Sequence, residues 1–215
     1  KYSYTVSKSI ANFYGKKYGI KMSVISNFPL LKPSSSHFIN NDKIIIYQGA
    51  VNKDRGVKLM IDAMNFVDAK LYIIGGGDLF EEMVDYVREK NLNDKVIFFG
   101  KLHFDELFDI TRKAHLGLSF ELDTCLSYRY ALPNKIFDYI HAEIPVLVSP
   151  LSEYKKILTS YNVGQLLKSR DVKSVSDQIN YMLCIEKKKW LPSLLAAKHN
   201  FSWDKQERLL LSFFD

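Results

Sequence analysis

Short runs of β-branched and apolar residues alternate with helix-length segments along most of this chain, and that alternation constrains the fold more than any other feature. The runs Lys43–Gln48, Lys70–Ile74, Lys95–Phe99, His115–Ser119, Val146–Ser149 and Val163–Leu166 read as strands. Amphipathic stretches near Gly56–Phe66, Leu79–Lys90, Phe104–Lys113, Pro133–Ala142 and Ser152–Tyr161 lie between them. Repeated strand–helix units specify parallel strands whose crossovers cover both faces of a sheet. Ile44-Ile45-Ile46 and Tyr72-Ile73-Ile74 are continuously apolar, as strands buried on both faces must be. The expectation is an α/β fold, a doubly wound parallel sheet of about six strands with helices on both faces. After Asp171 the strand signals stop, and helical patterns follow at Asp171–Ile185, Lys187–Lys198 and Ser202–Phe214.

The front of the chain is different. Ser7 is placed to cap a helix through Tyr18, followed by a short strand Met22–Ser26. Residues 1–30 read as the tail of a preceding domain or a hinge, and the polar stretch 31–42 as a linker. Residues 43–200 then form the α/β domain and 201–215 a C-terminal helix. The first residues, Lys-Tyr-Ser-Tyr, lack a signal-peptide pattern and read as if cut from a longer chain. No apolar run is long enough to span a bilayer. Two cysteines, Cys125 and Cys184, suggest a reducing compartment, and no Cys/His cluster has zinc spacing. A net charge of +6 suits nucleotide phosphates, an anionic membrane surface or nucleic acid without choosing among them.

In an open parallel sheet, ligands bind beyond the carboxyl ends of the strands. Here those loops are Gly49–Arg55, Gly75–Asp78, Gly100–His103, Phe120–Leu132 and Ser149–Glu153. The loop Phe120–Leu132 is long for a strand–helix connection and rich in aromatics, so it is expected to be ordered and functional. It leads into Pro133 at a first helical position, with Asn134, Lys135 and Asp138 following. A cation in a first helical turn costs about 0.3–1 kcal/mol unless an anion accompanies it, and a bound phosphate would supply that anion. Arg55, at the end of the first loop and beside the start of the first helix, repeats the pattern, and Arg favours bidentate phosphate or carboxylate partners. Two explanations fit Asp138: a ribose diol, or an ordinary helix pair with Lys135. Gly75-Gly76-Gly77-Asp78 permits close backbone approach to a ligand, or is a tight turn with Asp78 capping the next helix. Phe80 occupies the place of the third glycine of a dinucleotide fingerprint, which disfavours hydride transfer. His103, at a strand end, either lines the site or begins a helix, while His115 and His141 read as structural. No Ser/His/Asp triad and no acid/base carboxylate pair is evident.

These pieces, in this order, resemble the C-terminal half of the family 4 (group 1) retaining glycosyltransferases, which have the GT-B fold. Tyr47-Gln48-Gly49-Ala50-Val51-Asn52-Lys53-Asp54-Arg55-Gly56 resembles the family's phosphate loop, and Leu71–Asp78 its strand and glycine turn. Val96–Leu102 with Glu106-Leu107 is similar to the nucleobase loop, and Pro133–Val146 to the helix with the signature carboxylate. The signature is Glu-x7-Glu; here Asp138 stands for the second acid and Tyr130 for the first. Ala50 stands where many members carry a phosphate-binding Arg, so Lys135 and Arg129 are candidates to replace that cation.

The resemblance implies a Rossmann-like donor domain at 43–200, preceded by the end of an acceptor domain missing from this chain. It implies Arg55, Lys135 and Asp138 as catalytic residues. Its substrate-binding set is Gly49, Ala50, Gly75, Gly76, Lys101, Leu102, Arg129, Tyr130, Ala131, Leu132, Pro133 and Asn134. The expected substrate is a nucleotide diphosphate sugar of UDP or GDP type, with no metal and no cofactor. The expected acceptor is a glycan or lipid-linked sugar in cell-surface polysaccharide synthesis, with no nucleic acid partner. The expected location is the cytoplasm, with peripheral contact at the inner membrane face. The isolated chain is expected to bind nucleotide without turnover. The alternatives are a GT-B sugar-nucleotide epimerase and a non-catalytic nucleotide-binding domain.

Overall fold

The computed structural model describes residues 3–34, 42–130 and 132–214. Most of the 31–42 linker and the candidate site residue Ala131 therefore lie outside the described residues. At the front, β1 (Tyr4–Thr5) leads into α1 (Lys8–Tyr18), and β2 (Ser23–Val24) returns parallel to β1. The Ser7 hydroxyl accepts the Ile10 amide at 3.3 Å, capping α1 as its residue type requires. Gly19, at φ 67°, ends the helix in the left-handed conformation that glycine adopts most readily.

The main sheet contains β3 (Ile44–Gln48), β4 (Lys70–Ile74), β5 (Val96–Gly100), β6 (Leu116–Ser119), β7 (Val146–Val148) and β8 (Gly164–Leu166). All pairings are parallel, in the order β5-β4-β3-β6-β7-β8. Each strand falls on an apolar run identified above. Ile45, Ile46 and Tyr47 are fully buried, which is why β3 tolerates no polar alternation. Interleaved with the strands are α2 (Val57–Ala63), α3 (Phe80–Glu89), α4 (Phe104–Thr111), α5 (Leu126–Arg129), α6 (Lys135–His141) and α7 (Ser152–Ser160). After the sheet come α8 (Val172–Cys184), α9 (Leu191–Asn200) and α10 (Trp203–Leu211). Met60 and Ile61 of α2, Met83 and Val87 of α3, and Ile136, Phe137 and Ile140 of α6 make the helical side of the core. Each such side chain contributes about 1.5–3 kcal/mol by leaving water.

Several expected boundaries move. The helix expected from Pro133 starts at Lys135, with Asn134 in the cap position but making no side-chain capping bond. The loop after β6 is not wholly irregular, since it contains the four-residue helix α5. The helix expected over Lys187–Lys198 is a 3-10 turn at Lys187–Lys189 followed by α9. Pro192 explains that break: it lacks an N–H and disfavours helical backbone before it, so it fits only the first turn of a new helix. Asp78 does not cap α3; instead its own amide donates to the Asn52 side-chain oxygen at 2.9 Å.

The chain reverses its winding between β3 and β6, and these two strands pair only at Ile45–Leu116 and Ile46–Gly117. Tyr139 of α6 fills the splay beyond that pairing. Its buried hydroxyl accepts the Gln48 amide at 3.1 Å and faces the Leu118 carbonyl at 3.2 Å. The ring lies on Gly117, where an added Cβ would come within 2.5 Å of a ring carbon. Tyr139→Phe is expected to cost about 1–3 kcal/mol, because the buried Gln48 amide loses its partner; urea denaturation measures this.

Candidate donor-binding cleft

Four strand-end loops converge above β3, β4 and β6. The Gly49 amide donates to the Ile74 carbonyl at 2.8 Å, Val51 to Gly76 at 3.0 Å, and Gly75 to Gly100 at 2.7 Å. Gly75 has φ 136°, and a Cβ there would sit 2.0 Å from the Gly49 carbonyl oxygen. Only glycine allows that approach. Gly75→Ala is expected to lower stability by more than about 1 kcal/mol, since the obstacle is backbone and the φ is strained; thermal denaturation tests it.

The convergence leaves a cleft of about 490 Å³, within the range of small-ligand sites. Of the candidate residues, Gly49, Ala50, Arg55, Gly75, Lys101, Leu102, Pro133, Asn134, Lys135 and Asp138 line it. Gly76 lies just beside, under the Lys101 side chain. Three candidates are placed elsewhere. Arg129 gives its Nε to Asp123 at 2.9 Å. Tyr130 lies against Phe13 of α1 with tilted rings 5.9 Å apart and Leu132 lines a hollow with Phe28 and Phe137, so both serve the contact with the N-terminal segment. Of the two cations proposed to replace the missing Arg, Lys135 stands in the cleft and Arg129 does not. A Cβ on Gly49 would lie 3.2 Å from the Lys135 Nζ, so the ammonium sits beside the Gly49-Ala50 turn.

Two residues that the sequence reading passed over organise the cleft. Glu121, two residues beyond β6, has a fully buried side chain. Its Oε1 accepts Lys135 Nζ at 2.8 Å and lies 3.6 Å from Arg55 Nη1. Its Oε2 accepts the Ser119 hydroxyl at 2.7 Å, with the Tyr154 hydroxyl at 3.3 Å. Burial alone would raise the Glu121 carboxyl, but the Lys135 charge and these hydrogen bonds hold it below the usual carboxylate range. Burial pushes the Lys135 ammonium below the usual lysine range, against the pull of Glu121. The cation at the start of α6 is thus already accompanied by an anion, and it is a carboxylate. The signal lay in Leu118-Ser-Phe-Glu-Leu122: an acid inside an apolar run demands a buried partner.

Gln48 is the second. Its Nε2 donates to Asp138 Oδ2 at 2.8 Å, and its Oε1 accepts from Thr111 at 3.0 Å. Asp138 therefore does not pair with Lys135. Burial raises its carboxyl to about 6, partly opposed by the Gln48 bond and the charge of Lys32. The loop from Phe120 is pinned to the first loop, since Leu122 donates its amide to the Asp54 carbonyl at 2.9 Å and Thr124 bonds the Asp54 carboxylate at 3.0 Å. The Arg55 guanidinium packs over the Tyr128 ring at 4.8 Å. His103 precedes α4, His115 accepts the Ile44 amide at 3.1 Å, and His141 bonds the Phe201 carbonyl at 2.8 Å.

The cation-lined cleft lies at the switch point of the strand order, where open α/β sheets bind their ligands, and the fold is of the GT-B type. The chain belongs to the glycosyl transferases group 1 family, whose model matches residues 32–190. No curated protein sequence matches it. Among solved structures it is similar to TarM of S. aureus, crystallised as a mutant with fondaparinux, alpha-GlcNAc-glycerol and UDP. The TM-score is 0.80 at 15% identity, over 99% of this chain and 43% of that one. It is also similar to a glycosyltransferase from Rickettsia africae, with TM-score 0.80 at 16% identity, over 100% of this chain and 62% of that one. Sucrose-phosphate synthase from Thermosynechococcus elongatus gives 0.79 at 16% identity, over 98% and 57%. The chain thus spans 43–62% of the length of these structures. Among the described residues no helix is long and apolar enough to cross a membrane.

Proposed function

We propose that this chain is the donor-binding part of a retaining glycosyltransferase that uses a nucleoside diphosphate sugar. The observation that carries the reading is the convergence of Arg55 and Lys135 at one end of the cleft, with Asp138 one helical turn along α6. Arg55 and Lys135 hold the diphosphate and stabilise the charge it gains on leaving. Asp138 accepts from the ribose hydroxyls, and Lys101 and Leu102 border the base. The protein cations do this work without a metal. Residues 1–30 belong with an acceptor domain elsewhere in the whole protein, so this chain alone binds nucleotide without turnover. The acceptor is a glycan or lipid-linked sugar of a cell-surface polysaccharide, met at the cytoplasmic face of the membrane.

Calorimetry with UDP and with GDP tests the reading; binding of neither would sink it. The Asp138 role adds a pH signature. Its folded-state value lies above that of an unfolded aspartate, so the carboxyl ionises only as pH passes about 6. Nucleotide affinity is expected to rise through that value and to lose this step in Asp138→Asn, the nucleotide's own ionisation being common to both proteins. The linked stability change has the opposite sense: the protonated carboxyl favours the fold at low pH, and that contribution is lost as pH rises through about 6.

A further inference from the structure

We propose that Glu121 is a positioning residue for donor binding, whose buried carboxylate keeps the Lys135 ammonium charged and fixed beside Arg55 on the floor of the cleft. The inference rests on the donor-binding reading above. The carboxylate is held from behind: Ser119 of β6 and Tyr154 of α7 bond Oε2 through their hydroxyls, which leaves Oε1 directed at the two cations. It has no freedom to turn away. The other groups around Lys135 do not substitute for it. Tyr47 of β3 presents its ring face 4.2 Å from Nζ, and Arg55 brings a like charge. Asp138, on the same helix, is engaged by Gln48. Arg170 approaches from the segment before α8, but its Nη1 bonds the Phe120 carbonyl and the Ser149 hydroxyl. Among the described residues, Glu121 is the carboxylate ion-paired with Lys135.

The arrangement has a use because the cation is lysine. An arginine stays protonated wherever it is buried, whereas a buried lysine gives up its proton unless an opposite charge holds it. Arg55, Lys135 and Lys101 against Glu121 and Asp138 still leave a surplus positive charge at the cleft, so the site remains attractive to a diphosphate.

The test is calorimetry of UDP and GDP across pH for the unaltered protein, Glu121→Gln and Glu121→Gln/Lys135→Arg. Loss of the opposite charge is expected to move the alkaline fall in affinity about 1–3 pH units lower in Glu121→Gln. Lys135→Arg in the double variant is expected to reverse that shift, leaving only the fall set by the nucleotide's own ionisation, which a purely structural role for Glu121 does not predict. An alkaline fall that stays in place in Glu121→Gln overturns the proposal. If that variant does not fold, Glu121→Asp decides: the fall moves the same way by less, or it does not move and the proposal is wrong. Binding of neither nucleotide by the unaltered protein is a separate result, which removes the donor-binding reading and this inference with it.

Discussion

Arg55→Ala is expected to weaken nucleotide binding about ten- to 150-fold, the equivalent of the roughly 1.5–3 kcal/mol of a hydrogen bond to a charged group. Arg55 is three-quarters buried, and its guanidinium lies between the Tyr128 ring and Glu121. A phosphate meeting it replaces little water, so the interaction is stronger than one at an open surface. The fold should survive, because Lys135 remains against Glu121 at 2.8 Å. Asp138→Ala is expected to weaken binding by a similar factor through the ribose. Arg129→Ala serves as the control: that side chain pairs with Asp123 outside the cleft and should leave affinity unchanged. Calorimetry with UDP or GDP checks all three. Unchanged affinity in both Arg55→Ala and Asp138→Ala would remove these residues from the donor site.

Lys198→Met is expected to be the most damaging single change to stability. The Lys198 Nζ meets Glu143 Oε1 at 2.8 Å, and the two side chains are 2% and 4% exposed. This pair ties the end of α6 to α9 behind the sheet. Removing the lysine strands a buried carboxylate, a loss of about 3–5 kcal/mol. For a chain of this size that is a fall in melting temperature of roughly 6–20 °C. The pH dependence separates the charge effect from lost packing. Burial would raise the Glu143 carboxyl, but the Lys198 bond, a Ser34 bond and the Lys198 and Lys187 charges hold it below the usual range. In the unaltered protein the pair's contribution is therefore present above the unfolded carboxylate value and is lost as pH falls through the depressed one. In Lys198→Met the carboxyl loses its ion-pair partner and moves up, so the damage should ease on acidification. Glu143→Gln/Lys198→Met should recover part of the loss at neutral pH. Thermal denaturation at two pH values distinguishes these outcomes.

The sheet was legible because its strands are buried on both faces and read as unbroken apolar runs, as Ile44–Tyr47 does. Helix existence was legible for the same reason of pattern, while the start of α6 and the break before α9 depended on proline placement, which sequence locates only to within a turn. The cleft was legible in its loops, because the glycines and cations that are locally costly gather at strand ends. Glu121 was not, because its partners Lys135, Ser119 and Tyr154 come from three different elements. Tyr139 was missed for a similar reason: on α6 it is one more buried residue, and only the fold sets its hydroxyl between Gln48 and Leu118.

The two ends of the described chain are fastened to one another. Trp203 donates its amide to the Pro29 carbonyl at 2.8 Å, Gln206 accepts the Ser26 amide at 2.9 Å, and Tyr4 rests against Phe213 at 6.4 Å. A unit excised by contiguous sequence, from β3 to α9, would leave both halves of that clasp behind. Anyone transplanting this unit must therefore keep the stretches that flank it on both sides, or redesign the seam that they close.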